Sequence, residues 1–150
     1  MSPIIWDASL ETGDEVIDRQ HRAIHALFNQ LEAAADNEAE IMRALDFLTE
    51  HVAVHFAMEE DLMRSEEFPP RLTEAHVFEH ERLTEGVRDQ VLAFRTGQLD
   101  SMRPIVDFMR EWLVTHVRQC DRQFIEHISA RGVAAQLPDA WFEAERRARV

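Results

Sequence analysis

The sequence predicts an all-α fold: an antiparallel up-down-up-down four-helix bundle with an N-terminal arm and a short C-terminal tail. Three observations carry this. Apolar residues recur at three- and four-residue spacing in four stretches. Only four glycines and five prolines occur in 150 residues, so long stretches can run uninterrupted as helix. The connections between the stretches are short, which sets successive helices antiparallel. There is no β-type alternation, no repeat of fixed period and no low-complexity segment. The length suits one domain with one core and is too short for two.

Residues 1–17 read as an extended arm in which Trp6, Leu10, Val16 and Ile17 cover the end of a core, and Asp18 is placed to cap the first helix. Ile17, His21, Ile24, Phe28, Leu31 and Ala35 form that helix's inner stripe, and Asp36-Asn37 breaks it and starts the next. The second helix is expected from about Glu38 to Arg64, with Ile41, Leu45, Leu48, Val52, His55, Glu59 and Leu62 inward. Pro69-Pro70 separates it from the third. The third is expected from about Leu72 to Arg95, with Leu72, His76, His80, Leu83, Val87, Val91 and Phe94 on one face and Gly97 at its end. The fourth is expected from about Ser101 to Arg131, with Pro104 in its first turn, where a missing N–H does no harm, and Gly132 after it. Residues 1–131 thus form the domain. Residues 132–150 form a tail that folds back or frays, in which Pro138 to Phe142 can open a short helix.

Composition narrows the function. The formal charge is −13, from 29 acidic and 16 basic residues, and every basic residue is Arg. Nucleic acid and anionic membrane surfaces are unfavourable partners for such a chain. No apolar run approaches the roughly 20 residues that span a bilayer. The first residues lack the basic start and apolar stretch of a secretory signal, and a single Cys excludes an internal disulfide. The expected address is the cytoplasm.

The inner stripes carry groups that a core should not contain. The first has His21, the second His55 and Glu59, the third His76 and His80, and the fourth His116 with Asp121 close by. A buried charged or imidazole group is costly unless paired or bound to metal. One such residue means little, but seven from all four helices, near mid-helix, point to a metal. His55 and Glu59 are four apart, as are His76 and His80, so each pair lies on one helix face. His116 to Asp121 is a spacing of five, about 140° around an ideal helix, where periodicity alone selects Cys120. Five imidazoles and two carboxylates with no thiolate suit two transition metals, iron first among them, rather than structural zinc. If Glu59 and Asp121 bridge both metals together with one oxo or hydroxo group, three His complete one six-coordinate iron. The remaining two leave the other with one open position, where a small molecule binds. The Glu-x-x-His of ferritin-like di-iron proteins and the His-Glu-x-x-His of zinc peptidases are both absent.

The sequence resembles the hemerythrin family, and within it the single-domain bacterial members, over about Trp6 to Ile128. The residues that carry the resemblance are Trp6, Gly13, Ile17-Asp18-Arg19-Gln20-His21, His55-Phe56-Ala57-Met58-Glu59-Glu60-Asp61-Leu62-Met63, Pro70, His76-x-x-x-His80 and Trp112-Leu113-x-x-His116-Val117-x-x-x-Asp121. The resemblance implies that His76, His80 and His116 hold the six-coordinate iron, that His21 and His55 hold the open one, and that Glu59 and Asp121 bridge. It selects Asp121 over Cys120, which is left as a small core residue, and His21 over His25. It implies reversible dioxygen binding for storage, delivery or scavenging, beside a pocket walled by Trp112, Leu113 and Val117.

Two other uses of the same site are an oxygen, nitric oxide or redox sensor that signals through the tail, and a di-iron peroxidase or ferroxidase. The chain is expected to be a binder and not an enzyme, and no partner protein is indicated. His51 is expected either to assist the site from behind or to be a packed, hydrogen-bonded residue. His127 is assigned no function, and Glu60, Asp61 and Glu79 are expected to be solvated.

Overall fold

The computed structural model describes residues 6–34 and 37–148. Met1 to Ile5 of the arm, the inward place of Ala35 and the break at Asp36 lie outside them. The described residues contain six α-helices and no strand. None of these helices is long and apolar enough to cross a membrane.

The arm makes a short 3-10 turn over Ala8–Leu10, with Asp7 accepting the Ser9 N–H at 2.8 Å. Leu10 enters the core. Helix α1 spans Glu15–Ala33. Its cap is Asp14 and not Asp18: Asp14 Oδ1 accepts the Ile17 N–H at 3.0 Å. Asp18 lies inside the first turn, buried, where it accepts from Thr12 N–H at 2.8 Å, Thr12 Oγ1 at 2.7 Å and Gly13 N–H at 3.1 Å. Val16 and Ile17 therefore belong to the helix and not to the arm. An acidic residue before a periodic run marks a start, but here two candidates stand four apart. The upstream one caps the helix and the downstream one ties down the loop.

Helix α2 spans Glu38–Ser65 and is capped by Asn37, whose Oδ1 accepts the Glu40 N–H at 3.1 Å. Helix α3 spans Pro70–Arg95 and starts with its proline. Gly97 follows with φ +80°, a left-handed conformation that favours glycine.

The fourth stretch is not one regular helix. Helix α4 spans Arg103–His116, a π-helical turn covers Val117–Asp121, and helix α5 spans Arg122–Ala130. The Arg122 N–H reaches the Val117 carbonyl five residues back. One residue is thus inserted into the turn, and everything downstream rotates relative to α4. The arm is fastened to this turn: Arg118 donates to Ser9 Oγ at 2.8 Å and Arg122 to the Ser9 carbonyl at 2.7 Å.

The tail folds back. Helix α6 spans Asp139–Ala148 and packs on α2, with Trp141 and Ala144 fully buried. Trp141 meets His51 edge-on at 4.9 Å and donates Nε1–H to Glu145 at 2.6 Å. Arg19 pairs with Glu145 at 3.1 Å, Arg147 pairs with Glu50, and Asp14 Oδ2 accepts the Ala135 N–H at 2.9 Å. One carboxylate, Asp14, thus caps the first helix and holds the segment leading to the last.

The apolar core is split in two. The larger cluster includes Leu10, Ile24, Phe28, Leu31, Leu45, Leu48, Leu83, Ile105, Met109 and Trp141. The smaller joins Ile17, Met58, Met63, Phe68, Phe124, Ile125, Ile128 and Ala135. Leu62, Leu72, Val91 and Phe94, expected inward, are only half-buried, and Met63 takes the inner place at the end of α2. Between the clusters lies the polar layer.

Trp141→Ala is expected to destabilise the protein by about 3–5 kcal/mol, the usual cost of truncating a fully buried aromatic residue. Phe142→Ala, at a half-exposed ring beside it, is expected to change stability by no more than about 0.5 kcal/mol. Urea unfolding of the two variants checks both.

Candidate metal centre

All seven residues singled out from the sequence, six by their place in the stripes and Asp121 by the resemblance, meet in the layer between the two clusters. Each is at most 4% exposed. His21 comes from α1, His55 and Glu59 from α2, His76 and His80 from α3, and His116 closes α4. Asp121 ends the π-helical turn, and that turn brings a residue five after His116 to the inner face where a regular helix would put Cys120. Cys120 is half-buried beside a surface groove with Phe78 and Glu79, so the expectation of a core residue is corrected.

The ligand atoms form two groups that share Asp121. One contains Glu59, His76, His80, His116 and Asp121, and the other His21, His55 and Asp121. Asp121 faces both: Oδ1 lies 2.9 Å from His76 Nε2 and 3.0 Å from His116 Nε2, and Oδ2 lies 2.9 Å from His21 Nε2. Glu59 Oε1 lies 3.0 Å from His55 Nε2 on one side and 3.5 Å from His80 Nε2 on the other.

These contacts fit cations better than hydrogen bonds. Glu59 Oε1 and Oε2, Asp121 Oδ1 and His80 Nε2 are buried without a hydrogen bond among the described residues. Such groups cost on the order of 1–3 kcal/mol each when left unpaired. His21 Nε2 lies 3.1 Å from His55 Nε2, and His116 Nε2 lies 3.1 Å from His76 Nε2. Two nitrogens about 2.1 Å from one metal, at right angles, stand about 3 Å apart. The donor set is imidazole and carboxylate with no thiolate, which suits a first-row transition metal.

The electrostatics record the crowding. Burial and Asp121 push the Glu59 carboxyl up, but His55 and His80 outweigh them and it settles at about 2. Asp121 resists burial through His116, His21 and His76 and is held well below the usual carboxylate range. Burial pushes His116 down, yet Asp121 beside it raises it to about 10. Burial keeps the His55 imidazole low even though Glu59 opposes the shift.

Rings stack on two of the imidazoles: Phe56 on His80 at 3.7 Å and 5°, and Trp112 on His116 at 4.2 Å and 14°. Trp112, Leu113 and Val117, expected to wall a pocket, are all buried. His25 stands outside both ligand groups, edge-on to Trp6 at 5.2 Å, and burial and His21 lower it to about 4. His51 donates Nδ1–H to the Phe47 carbonyl at 2.7 Å as a packed residue. His127 bonds the Glu66 carbonyl at 2.8 Å and pins α5 to the end of α2.

Two residues with a bearing on the site were not assigned a role from sequence. Gln20 Oε1 lies 2.6 Å from His55 Nδ1. Glu60, expected to be solvated, is half-buried and places Oε2 3.2 Å from His80 Nδ1. Gln20 carried a signal, being a polar residue on the inner side of α1 next to His21. Glu60 carried none, because its partner lies twenty residues away on another helix. Asp61 is exposed as expected, and Glu79 is partly covered and pairs with Arg82 at 3.5 Å.

The family model described as the hemerythrin HHE cation binding domain matches residues 12–128. The bacteriohemerythrin of Ralstonia nicotianae is 34% identical over 145 residues, 96% of this chain and 98% of that protein. That of Methylococcus capsulatus is 32% identical over 134 residues, 87% of this chain and 100% of that protein. The crystal structure of a wild-type hemerythrin is similar with a TM-score of 0.75 at 30% identity, over 85% of this chain and 99% of the other. On the matched domain and on relatives that align over nearly their whole length, this chain belongs to the hemerythrin family.

Proposed function

We propose that the chain binds dioxygen reversibly at a pair of iron ions held by His21, His55, Glu59, His76, His80, His116 and Asp121, and that it stores, delivers or scavenges oxygen in the cytoplasm. The observation that supports this most is Asp121, whose two oxygens face two histidine groups of unequal size. Iron held there would supply reversible redox capture of dioxygen. His76, His80 and His116 would hold one ion together with the two carboxylates. His21 and His55, one imidazole fewer, would hold the other and leave room for a small molecule beside it. Trp112, Leu113 and Val117 exclude water from it and so limit proton access. A binder, rather than an enzyme, is the reading that these apolar walls favour.

Signalling through the tail is a second reading. One observation favours it: α6 rests through Trp141 on His51, one turn from His55. A change in protease sensitivity of residues 132–148 between reduced and oxygenated protein tests it.

The oxygen-binding reading predicts two irons per chain, a colourless reduced form and a visible band that appears with oxygen and disappears when oxygen is removed. Two irons with no stable oxygenated form contradict it. Asp121→Asn is expected to lose two-metal loading, and Cys120→Ser to keep it, as read by metal analysis.

The metal-free protein is expected to be most stable near pH 6.5. Below that, Glu59 loses its contribution as pH falls from its ordinary 4.5 towards about 2. His25, buried neutral at about 4 against an ordinary 6.5, acts at higher pH than Glu59 does and opposes folding increasingly as pH falls from 6.5 towards about 4. Above it, His116 loses its contribution as pH rises from 6.5 towards about 10. Metal loading removes the alkaline loss, because the imidazoles are then neutral ligands. Thermal unfolding across pH, with and without metal, checks the difference.

A further inference from the structure

Two of the imidazoles, His80 and His55, are held from behind, and by groups of different charge. His80 Nδ1 faces Glu60 Oε2 at 3.2 Å. A carboxylate only accepts, so this nitrogen carries the proton and Nε2 turns its lone pair towards Glu59. His55 Nδ1 faces Gln20 Oε1 at 2.6 Å and donates to an uncharged amide. Nδ1 of His21 is buried with no hydrogen bond to any of the described residues. Each histidine group therefore has an anchored ring, His80 among the three and His55 among the two, but only one of these anchors is charged.

Glu60 is placed to keep its charge for His80. Its side chain is 22% exposed, and its nearest cation, Arg64, stands 3.9 Å from the other oxygen with 62% of its own side chain in water. Water screens a pair of that kind and leaves it weak. Phe56, stacked flat on His80, fixes the ring plane so that Nδ1 stays aimed at Glu60.

We propose that Glu60 is a positioning residue of the metal centre that makes its two halves electronically unequal. Through His80 it lends negative charge to the three-imidazole half, whereas Gln20 orients His55 without adding charge. A carboxylate behind a ligating imidazole makes the ring a stronger donor, so the three-imidazole half favours the higher oxidation state. This rests on the reading of the seven residues as metal ligands and not on oxygen binding.

The test compares Glu60→Gln, Glu60→Ala and Gln20→Glu with the wild-type chain, all first checked for helix content without metal. Cobalt(II) affinity is measured by competition with a chromophoric chelator, and the midpoint potential of the iron-loaded protein by spectroelectrochemistry. Glu60→Ala is expected to weaken cobalt binding by about 10–100-fold. Glu60→Gln keeps a hydrogen-bond acceptor, so it is expected to recover most of that affinity yet move the midpoint in the positive direction. Gln20→Glu is expected to move it in the negative direction. Wild-type affinity in Glu60→Ala overturns the positioning role. An unchanged midpoint in Glu60→Gln, or shifts of the same sign in Glu60→Gln and Gln20→Glu, overturns the charge argument. A wild-type chain that takes up no cobalt removes the metal reading and this proposal with it. A chain that binds metals but no dioxygen contradicts only the oxygen function.

Discussion

The rest of the structure is arranged around one constraint: two carboxylates and five imidazoles are removed from water in a single layer. A bundle of this size gains its stability from apolar burial. Here the layer interrupts that burial and divides the core into two clusters. Each half then needs its own closure. The larger is closed by Leu10 of the arm and Trp141 of α6, the smaller by Phe68 and Ala135 from the connecting segments. Elements that look like appendages in the sequence thus cover the ends of a core that its own centre has split.

The same constraint explains the irregular backbone. His55 and Glu59, and His76 and His80, sit four apart on regular helix, but Asp121 lies five after His116. The turn over Val117–Asp121 takes in one extra residue, so the carboxylate reaches the inner face while Phe124, Ile125 and Ile128 still point into the smaller cluster. The arm bonds through Ser9 and Glu11 to Arg118 inside this turn and to Arg122 just after it. The irregular segment is thereby tied down from outside as well as from the site.

Much of this was legible in the sequence, because helical spacing is a strong signal and polar residues inside an apolar stripe are conspicuous. The four bundle stretches and six of the seven polar positions come from those two features. The π-helical turn did not follow from periodicity, which selected Cys120; only the resemblance placed Asp121 there. Asp14 and Asp18 could not be ranked as caps, since both precede or open the same apolar run and only the folded loop separates their roles. Glu60 looked solvated because its partner His80 belongs to another helix, and pairs of that kind leave no local pattern. A short helix in a tail that folds back or frays is expected, but the face by which α6 docks was hidden, as a ten-residue helix shows too few apolar residues to announce it. The docking depends on Trp141 and on ion pairs to Arg19 and Glu50 far back in the chain.

The central claim is that the buried polar layer is a two-metal site built by these seven residues. X-ray anomalous scattering at the iron edge, from crystals of the iron-loaded protein, tests it most directly. The account predicts two peaks per chain between α1, α2, α3 and the α4–α5 junction, with Asp121 and Glu59 between them and His21 and His55 on one peak alone. A single peak, or iron bound away from this layer, would contradict it.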